Sequence, residues 1–153
     1  MDIRTLTSGL AVSPQITPED IPAIRAAGFR TIFCNRPDGE DADQPAFADI
    51  AAAAREEGLV ADYIPVVSGS LSDADVSAFG AALRTAEGPV FAYCRSGTRV
   101  AMLWALHEAG TRPLREILST AAAVGYDLTS LTPRIAAAAD RPPSQKAAPT
   151  PDA

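Results

Sequence analysis

The chain has 153 residues, of which 47% are hydrophobic and 21% charged, the balance of an ordinary globular domain. Its formal net charge of -6 argues against nucleic acid and against an anionic membrane as partners, because both bind basic surfaces. Two cysteines are too few for a disulfide framework, and one histidine leaves no Cys/His spacing for a metal, so neither metal nor cofactor is expected.

The first half of the chain alternates short apolar runs with helical segments. Short strands are predicted over residues 3–6 and 10–12. A helix is predicted from the cap Thr17, which a proline and two acids follow, to residue 27, where Gly28 supplies the left-handed residue that ends it. The segments that follow are predicted as a buried strand (31–34), a polar acidic loop (35–45), a helix (46–57) and a strand (60–67).

The second half continues the same alternation. A helix is predicted from its cap Ser72 to residue 85, and a short β-branched and aromatic strand over 89–93. Three further helices are predicted over residues 98–109, 114–124 and 130–139. We therefore expect one α/β domain over residues 1–139, with a mostly parallel central sheet of four to five strands flanked by helices. Residues 140–153 are proline-rich and are predicted as a disordered tail.

The start of the chain gives no sign of export. Residues 1–12 lack the charged start and the long apolar run of a signal peptide, and no segment approaches the length of a membrane span. We therefore expect both thiols to lie in a reducing cytoplasm.

One loop, with the sequence CRSGTR from Cys94 to Arg99, combines a nucleophile with anion-binding groups. A thiol at a strand end that faces a helix N-terminus becomes reactive, because the helix dipole and the free backbone N–H groups stabilise its thiolate. Gly97 permits a tight turn that aims successive N–H groups inward. The planar fork of Arg99 suits bidentate binding of an oxyanion. Cys94 and Arg99 are the predicted catalytic residues.

Other residues of this loop, and one arginine elsewhere, are predicted to bind substrate. Ser96 and Thr98 can donate hydrogen bonds to an oxyanion, and Arg95 adds positive charge. Arg36 follows the strand over 31–34, and ligands bind at the carboxyl ends of parallel strands, so Arg36 could also reach the anion. The predicted substrate-binding residues are Arg95, Ser96, Gly97, Thr98 and Arg36.

Three further features are given structural interpretations. Cys34 closes a buried strand and is interpreted as core filler. The acids between Asp38 and Asp43 are interpreted as a solvated loop, as most such runs are. His107 lies too far along its helix to serve Cys94.

The chain resembles two families. The run from Cys94 to Arg99 is similar to the active loop of rhodanese-type sulfurtransferases, in which the cysteine holds a persulfide, although the Asp-x-Arg and Gly-His-Ile-Pro-Gly-Ala stretches of rhodaneses are missing. Over residues 1–137 the chain resembles the beta-lactamase-hydrolase-like, phosphatase-like domain family. The segments that give this second resemblance are Ser8-Gly9-Leu10, Gln15-Ile16, Ala26-Ala27-Gly28-Phe29, Cys34-Asn35-Arg36-Pro37-Asp38-Gly39-Glu40 and Ala123-Val124-Gly125-Tyr126-Asp127-Leu128.

The second resemblance implies a fold like that of dual-specificity phosphatases. It also implies a link to sulfur, because members of that family occur fused to persulfide-handling metallo-hydrolase domains.

Two observations favour sulfur chemistry. Tyrosine and dual-specificity phosphatases place five residues between the nucleophile and the arginine, whereas four separate Cys94 from Arg99, and Val100 stands at the phosphatase position. The loop over residues 66–70 contains no carboxylate that could act as general acid. We therefore expect a sulfurtransferase that moves sulfane sulfur from thiosulfate or a persulfide through a Cys94 persulfide. Its partners would be a small anionic sulfur donor and a thiol acceptor.

Two alternatives stay open. The first is a dual-specificity or tyrosine-type phosphatase with a phosphocysteine at Cys94, which a general acid from Asp38 or Asp41 would favour. The second is a non-catalytic anion-binding or redox-sensing module that uses Cys94 as a switch.

Overall fold

The computed structural model describes residues 1–140, and within them five strands form one sheet. The strands are β1 (Arg4–Thr7), β2 (Leu10–Ser13), β3 (Thr31–Cys34), β4 (Val60–Tyr63) and β5 (Val90–Tyr93). Their order across the sheet is β1-β2-β5-β3-β4. Only β1 and β2 pair antiparallel, and the other neighbours are parallel. The predicted α/β fold with a mostly parallel sheet is confirmed.

Six α-helices connect and cover these strands in the described part of the chain. They are α1 (Ile21–Ala26), α2 (Phe47–Glu56), α3 (Asp73–Thr85), α4 (Thr98–Glu108), α5 (Leu114–Ala123) and α6 (Thr132–Ala139). None of these helices is both long enough and apolar enough to cross a membrane.

Prolines shorten two of the predicted elements. The helix predicted over residues 17–27 divides into a 3₁₀ turn, Pro18–Asp20, and α1, because Pro22 has no N–H to continue the helical ladder. The strand predicted over residues 60–67 stops as β4 two residues before Pro65. Both differences follow from a missing backbone donor.

The end of the described region bears on the predicted domain boundary. Asp140 is the residue that ends α6. The rest of the predicted tail, residues 141–153, lies outside the described residues. The division into one domain over residues 1–139 and a tail stays a prediction.

Apolar side chains pack against both faces of the sheet, and successive residues of β5 alternate between them. Phe91 and Tyr93 belong to a layer closed by α1 and α2, together with Cys34. Ala92 and Cys94 belong to the opposite layer, which α3, α4, α5 and α6 close. Because strand side chains alternate with a period of two, the two cysteines of the chain face opposite layers.

The register of the parallel strands aligns three strand ends. Ser13 of β2 and Cys34 of β3 both pair with Tyr93 of the central strand β5. The loops that follow these three strands therefore begin at the same edge of the sheet. Strand β5 lies between β2 and β3 and is parallel to both. This position is a topological switch point, where open α/β sheets bind their ligands.

We expect Phe79→Ala in α3 to destabilise the fold by about 3–5 kcal/mol, because its fully buried ring leaves a cavity in the layer that supports Cys94. The Phe79 ring also makes an edge-to-face contact with Phe33 at 5.9 Å between centroids. Urea unfolding followed by circular dichroism measures the loss. Val67→Ala is the matched control, since 59% of Val67 is exposed, and it should cost less than about 0.5 kcal/mol. Equal losses in the two variants would contradict the described packing.

Candidate active site

The loop from Cys94 to Gly97 joins β5 to α4 and is held by backbone hydrogen bonds to the loop after β2. The Cys94 N–H donates to the Ser13 carbonyl oxygen at 3.4 Å, and the Gln15 N–H donates to the Arg95 carbonyl oxygen at 3.1 Å. From the other side, the Tyr126 hydroxyl donates to the Ser96 carbonyl oxygen at 3.0 Å. These contacts fix the loop before any ligand is bound.

Gly97 turns the backbone toward the thiol. Its φ angle is 95°, in the left-handed region, and its N–H donates to the Cys94 Sγ at 3.1 Å. A Cβ at this position would collide with the Tyr126 hydroxyl and would lie 2.9 Å from the Val12 Cγ1. Only glycine therefore fits here, and the N–H at the start of α4 points at the sulfur as the sequence predicted.

The Cys94 side chain lies beneath the loop, with the residue only 1% exposed. A cavity of about 280 Å³ adjoins the loop. Its lining residues are Ser68, Gly69, Leu71, Arg95, Ser96, Thr98, Arg99, Met102 and Arg134. The predicted loop residues Arg95, Ser96, Thr98 and Arg99 thus share one cavity, and the buried Cys94 is not among the residues that line it.

Ser96 and Thr98 contact one another at the mouth of the loop. Their hydroxyl oxygens lie 3.0 Å apart, and the Thr98 N–H lies 3.4 Å from the Ser96 Oγ. Arg95 is the most exposed of the loop's charged side chains, at 67%, and its Nη2 lies 3.7 Å from the Asp41 carboxylate. These groups are open to an incoming anion.

Arg99 is held by a carboxylate that sequence reasoning treated as solvated. Its Nη1 and Nη2 donate to the two carboxylate oxygens of Glu40 at 2.7 and 2.9 Å, and Nη1 also donates to the Val66 carbonyl oxygen at 2.8 Å. The bond to Glu40 raises the pKa of Arg99, and the negative charge of Cys94 acts in the same direction. The guanidinium is therefore fixed between the acidic loop and the thiol.

Arg36 is buried in the same network, at 2% exposure. It donates from Nε to the Glu40 Oε1 at 2.8 Å, from Nη2 to the Asp41 Oδ2 at 2.7 Å and from Nη1 to the Gln15 Oε1 at 2.9 Å. The hydrogen bonds of Arg99 and Arg36 lower the pKa of Glu40 to about 2. Arg36 contacts Glu40, and Glu40 contacts Arg99. Arg36 thus acts on the loop indirectly, rather than at the anion position that the sequence suggested for it.

Sequence reasoning missed Glu40, Gln15 and Tyr126 as parts of the site. The acidic loop after β3 is bound to arginines at Glu40 and Asp41, whose side chains are still 24% and 39% exposed, so these two residues are partly solvated and also part of the site. Asp38 has a different role, because its carboxylate accepts the Phe47 N–H at the start of α2. The sequence did contain a signal for these ion pairs, since Arg36 stands at the end of a parallel strand and the acids Glu40 and Asp41 follow it closely.

The remaining singled-out residues lie apart from the loop. Cys34 is buried in the layer opposite Cys94, where burial raises the pKa of its thiol and its Sγ lies 3.2 Å from the Arg36 carbonyl oxygen. Burial lowers the pKa of His107, which lies one residue before the end of α4. Within residues 1–140, no three or more His, Cys, Asp or Glu side chains form a group that could hold a metal ion.

The mostly parallel sheet, whose central strand leads into the Cys94 loop and then into α4, has a dual-specificity-phosphatase-like α/β fold. The chain belongs to the family described as beta-lactamase hydrolase-like protein, phosphatase-like domain, whose model matches residues 2–111.

Relatives and solved structures agree with this assignment. A beta-lactamase hydrolase-like protein of Xylella fastidiosa is 38% identical over 130 residues, which cover 84% of this chain and 30% of the relative. The chain thus spans about 30% of the length of that curated relative. The crystal structure of a candidate phosphatase from Neisseria meningitidis is 38% identical with a TM-score of 0.82, over 90% of this chain and 99% of that one.

A more distant structure shows the shared fold alone. The core catalytic domain of the PP-IP phosphatase Siw14 from S. cerevisiae, solved with citrate, is 13% identical with a TM-score of 0.61. The alignment covers 90% of this chain and 91% of that domain.

These comparisons correct the predicted chemistry. The expected sulfurtransferase with a Cys94 persulfide is wrong, as are the sulfur donor and thiol acceptor expected as its partners, because the family and a structure 38% identical to this chain are phosphatase-like. The error has a physical source. The number of residues between Cys94 and Arg99 does not by itself set the position of the Arg99 guanidinium. Glu40, which follows a different strand, holds the guanidinium through an ion pair.

We expect Gly97→Ala to destabilise the fold by about 1–3 kcal/mol more than Gly28→Ala, because its Cβ collides with Tyr126 in addition to straining the backbone. Gly28 is the matched control, since it has a φ of 101° and nothing within 4 Å of an added Cβ. Backbone strain alone should cost about 1–2 kcal/mol there. Urea unfolding of both variants measures the difference, and equal losses would mean that Tyr126 does not constrain the loop.

The ion pairs of Glu40 predict an acid-labile fold. A carboxyl group with a lowered folded-state pKa stabilises the fold above its unfolded pKa, and that contribution is lost as pH falls through the folded one. For Glu40 the window runs from its ordinary 4.5 down to about 2. Glu40→Gln should therefore flatten the fall in unfolding free energy below roughly pH 5, measured by urea titration at several pH values. Glu19→Gln, at an exposed site, is the control and should keep the wild-type slope.

Proposed function

We propose that this chain is a cysteine-dependent phosphatase in which Cys94 is the nucleophile and Arg99 binds the phosphoryl group. The observation that supports this most directly is the Gly97 N–H aimed at the Cys94 Sγ at 3.1 Å, at the start of α4. A backbone N–H at a helix N-terminus places positive partial charge beside the sulfur, the atom that attacks phosphorus. Membership in a phosphatase-like family supports the same reaction class.

The proposed reaction has two steps. The Cys94 thiolate attacks phosphorus, an S–P bond forms, and the bond from phosphorus to the leaving oxygen breaks with its electron pair on that oxygen. Water then attacks the phosphocysteine, the S–P bond breaks, the thiolate returns, and the product phosphate keeps both protons of the water. Phosphoryl transfer depends on positioning and on charge stabilisation, which the loop N–H groups and Arg99 would supply.

The hydrogen bonds of Arg99 support its role as the phosphoryl ligand. A guanidinium has five N–H donors, and three are used by Glu40 and by the Val66 carbonyl oxygen. The donors that remain, on Nε and Nη2, can bind the oxyanion, while Glu40 keeps the fork in one orientation. Glu40 and Arg36 are therefore proposed as positioning residues.

The other predicted residues keep their places in this proposal. Ser96, Thr98 and Arg95 are proposed to bind substrate oxygens at the mouth of the loop. Residues 1–139 are proposed as the phosphatase domain. A reducing cytoplasm is its proposed location, because both cysteines are free thiols.

We expect Cys94→Ser to reduce hydrolysis of para-nitrophenyl phosphate to background, because a serine hydroxyl is a much weaker nucleophile than the cysteine sulfur that it replaces. Arg99→Lys should lower kcat/KM by about 10²–10³, because an ammonium cannot replace the bidentate fork. Release of para-nitrophenolate measures both effects. Intact mass after rapid acid quench should show a wild-type species heavier by about 80 Da, the mass of one phosphoryl group, which is missing in Cys94→Ser.

Cys34→Ser is the matched control, since it alters the other buried thiol on the opposite face of the sheet and should retain activity. Phosphate binding without turnover in the wild type would overturn the proposal and would favour a non-catalytic anion-binding module. Turnover that survives in Cys94→Ser would remove Cys94 as the nucleophile.

A further inference from the structure

Three carboxylates near the cavity are paired with arginines. Glu40 accepts from Arg99 and Arg36, and Asp41 accepts from Arg36. At the other rim, the Asp73 Oδ1 accepts from the Arg134 Nη2 at 3.1 Å. A carboxylate that accepts hydrogen bonds from a guanidinium has its oxygens directed to that donor rather than to a leaving oxygen.

The residues that line the cavity favour a substrate with a second negative charge over a substrate with an aromatic ring. Arg95, Arg99 and Arg134 all line it, and none of its described lining residues is aromatic. Arg134 uses two of its five donors, from Nη1 to the Leu71 carbonyl oxygen at 2.8 Å and from Nη2 to Asp73. Its other donors are available to a ligand. Arg134 also lies outside residues 2–111, the segment that the family model matches.

We propose that the substrate is a phosphoanhydride whose leaving group is itself a phosphate, held by Arg134 and Arg95. This inference rests on the proposed phosphatase function and names its substrate class. The Cys94 thiolate forms an S–P bond to the terminal phosphorus, and the bridging P–O bond breaks with its electron pair on the leaving phosphate. That phosphate has a pKa of about 6 and departs as an anion without a proton, whereas an alkoxide is a far stronger base and needs a proton to depart.

Three substrates test the two parts of this proposal, the stable leaving group and the second phosphate, in the wild-type protein. Para-nitrophenyl phosphate has a stable leaving anion and one phosphate, glycerol 2-phosphate has a poor leaving group and one phosphate, and inorganic pyrophosphate has a stable leaving group and a second phosphate. We expect kcat/KM for pyrophosphate to exceed that for glycerol 2-phosphate by about 10²–10⁴, the contribution that a general acid would otherwise make. Phosphate release is measured with EDTA present, and Cys94→Ser serves as the blank.

Arg134→Gln tests the second phosphate site. We expect it to lower the ratio of kcat/KM for pyrophosphate to kcat/KM for para-nitrophenyl phosphate by about tenfold, because only pyrophosphate has the group that Arg134 would bind. Arg112→Gln is the matched control, since Arg112 is also paired with acids, Glu108 and Glu116, but lines a separate cavity. It should leave the ratio unchanged.

The outcomes distinguish this inference from the function it rests on. No turnover of any of the three substrates would remove the phosphatase itself. Turnover of para-nitrophenyl phosphate, together with equal kcat/KM for pyrophosphate and glycerol 2-phosphate, would overturn only the phosphoanhydride class. An unchanged ratio in Arg134→Gln would remove Arg134 as a phosphate ligand, and the wild-type comparison still decides the substrate class if that variant does not fold.

Discussion

The site depends on one carboxylate between two buried guanidiniums. Glu40 bridges Arg36 and Arg99, which are only 2% and 8% exposed. A buried arginine without a partner would be strongly unfavourable, so the loop after β3 has to lie where its glutamate meets both. Through this contact the orientation of Arg99 is set by a segment 59 residues away in the chain. The geometry of the candidate catalytic arginine is thus a tertiary property rather than a property of its own loop.

The parallel register makes this contact possible. Because Ser13, Cys34 and Tyr93 align across three adjacent strands, Gln15, Arg36 and Cys94 all start from one sheet edge. Gln15 contributes twice, through its backbone N–H to the Arg95 carbonyl oxygen and through its side chain to Arg36. The Cys94 loop is therefore held on the side of β2 by backbone hydrogen bonds, and on the side of β3 by ion pairs with the loop that follows that strand.

Local signals in the sequence predicted the fold and the core of the loop. Alternating apolar runs and glycine-ended helices gave the α/β class, and Gly97 was identified as the turn residue because its role is local to the motif. The arginine pairs could not be found in this way, since Glu40 meets Arg99, and Arg134 meets Asp73, only after the chain has folded. The same gap contributed to the wrong choice of sulfur chemistry, which rested on the loop length and on the lack of a carboxylate over residues 66–70.

The acidic net charge of -6 is compatible with an anionic substrate, because the effect of each charge on the cavity depends on its distance from it. At physiological salt, charges separated by more than about 8 Å are largely screened, so the acids of the distant surface contribute little inside the cavity. Within that range Glu40 neutralises part of Arg99 and Arg36, and Asp73 part of Arg134, while Arg95 stays 67% exposed. The carboxylates therefore do not cancel the basic site. They hold its arginines in fixed positions, and the proposed substrate with two phosphates would meet guanidiniums that need little reordering to bind it.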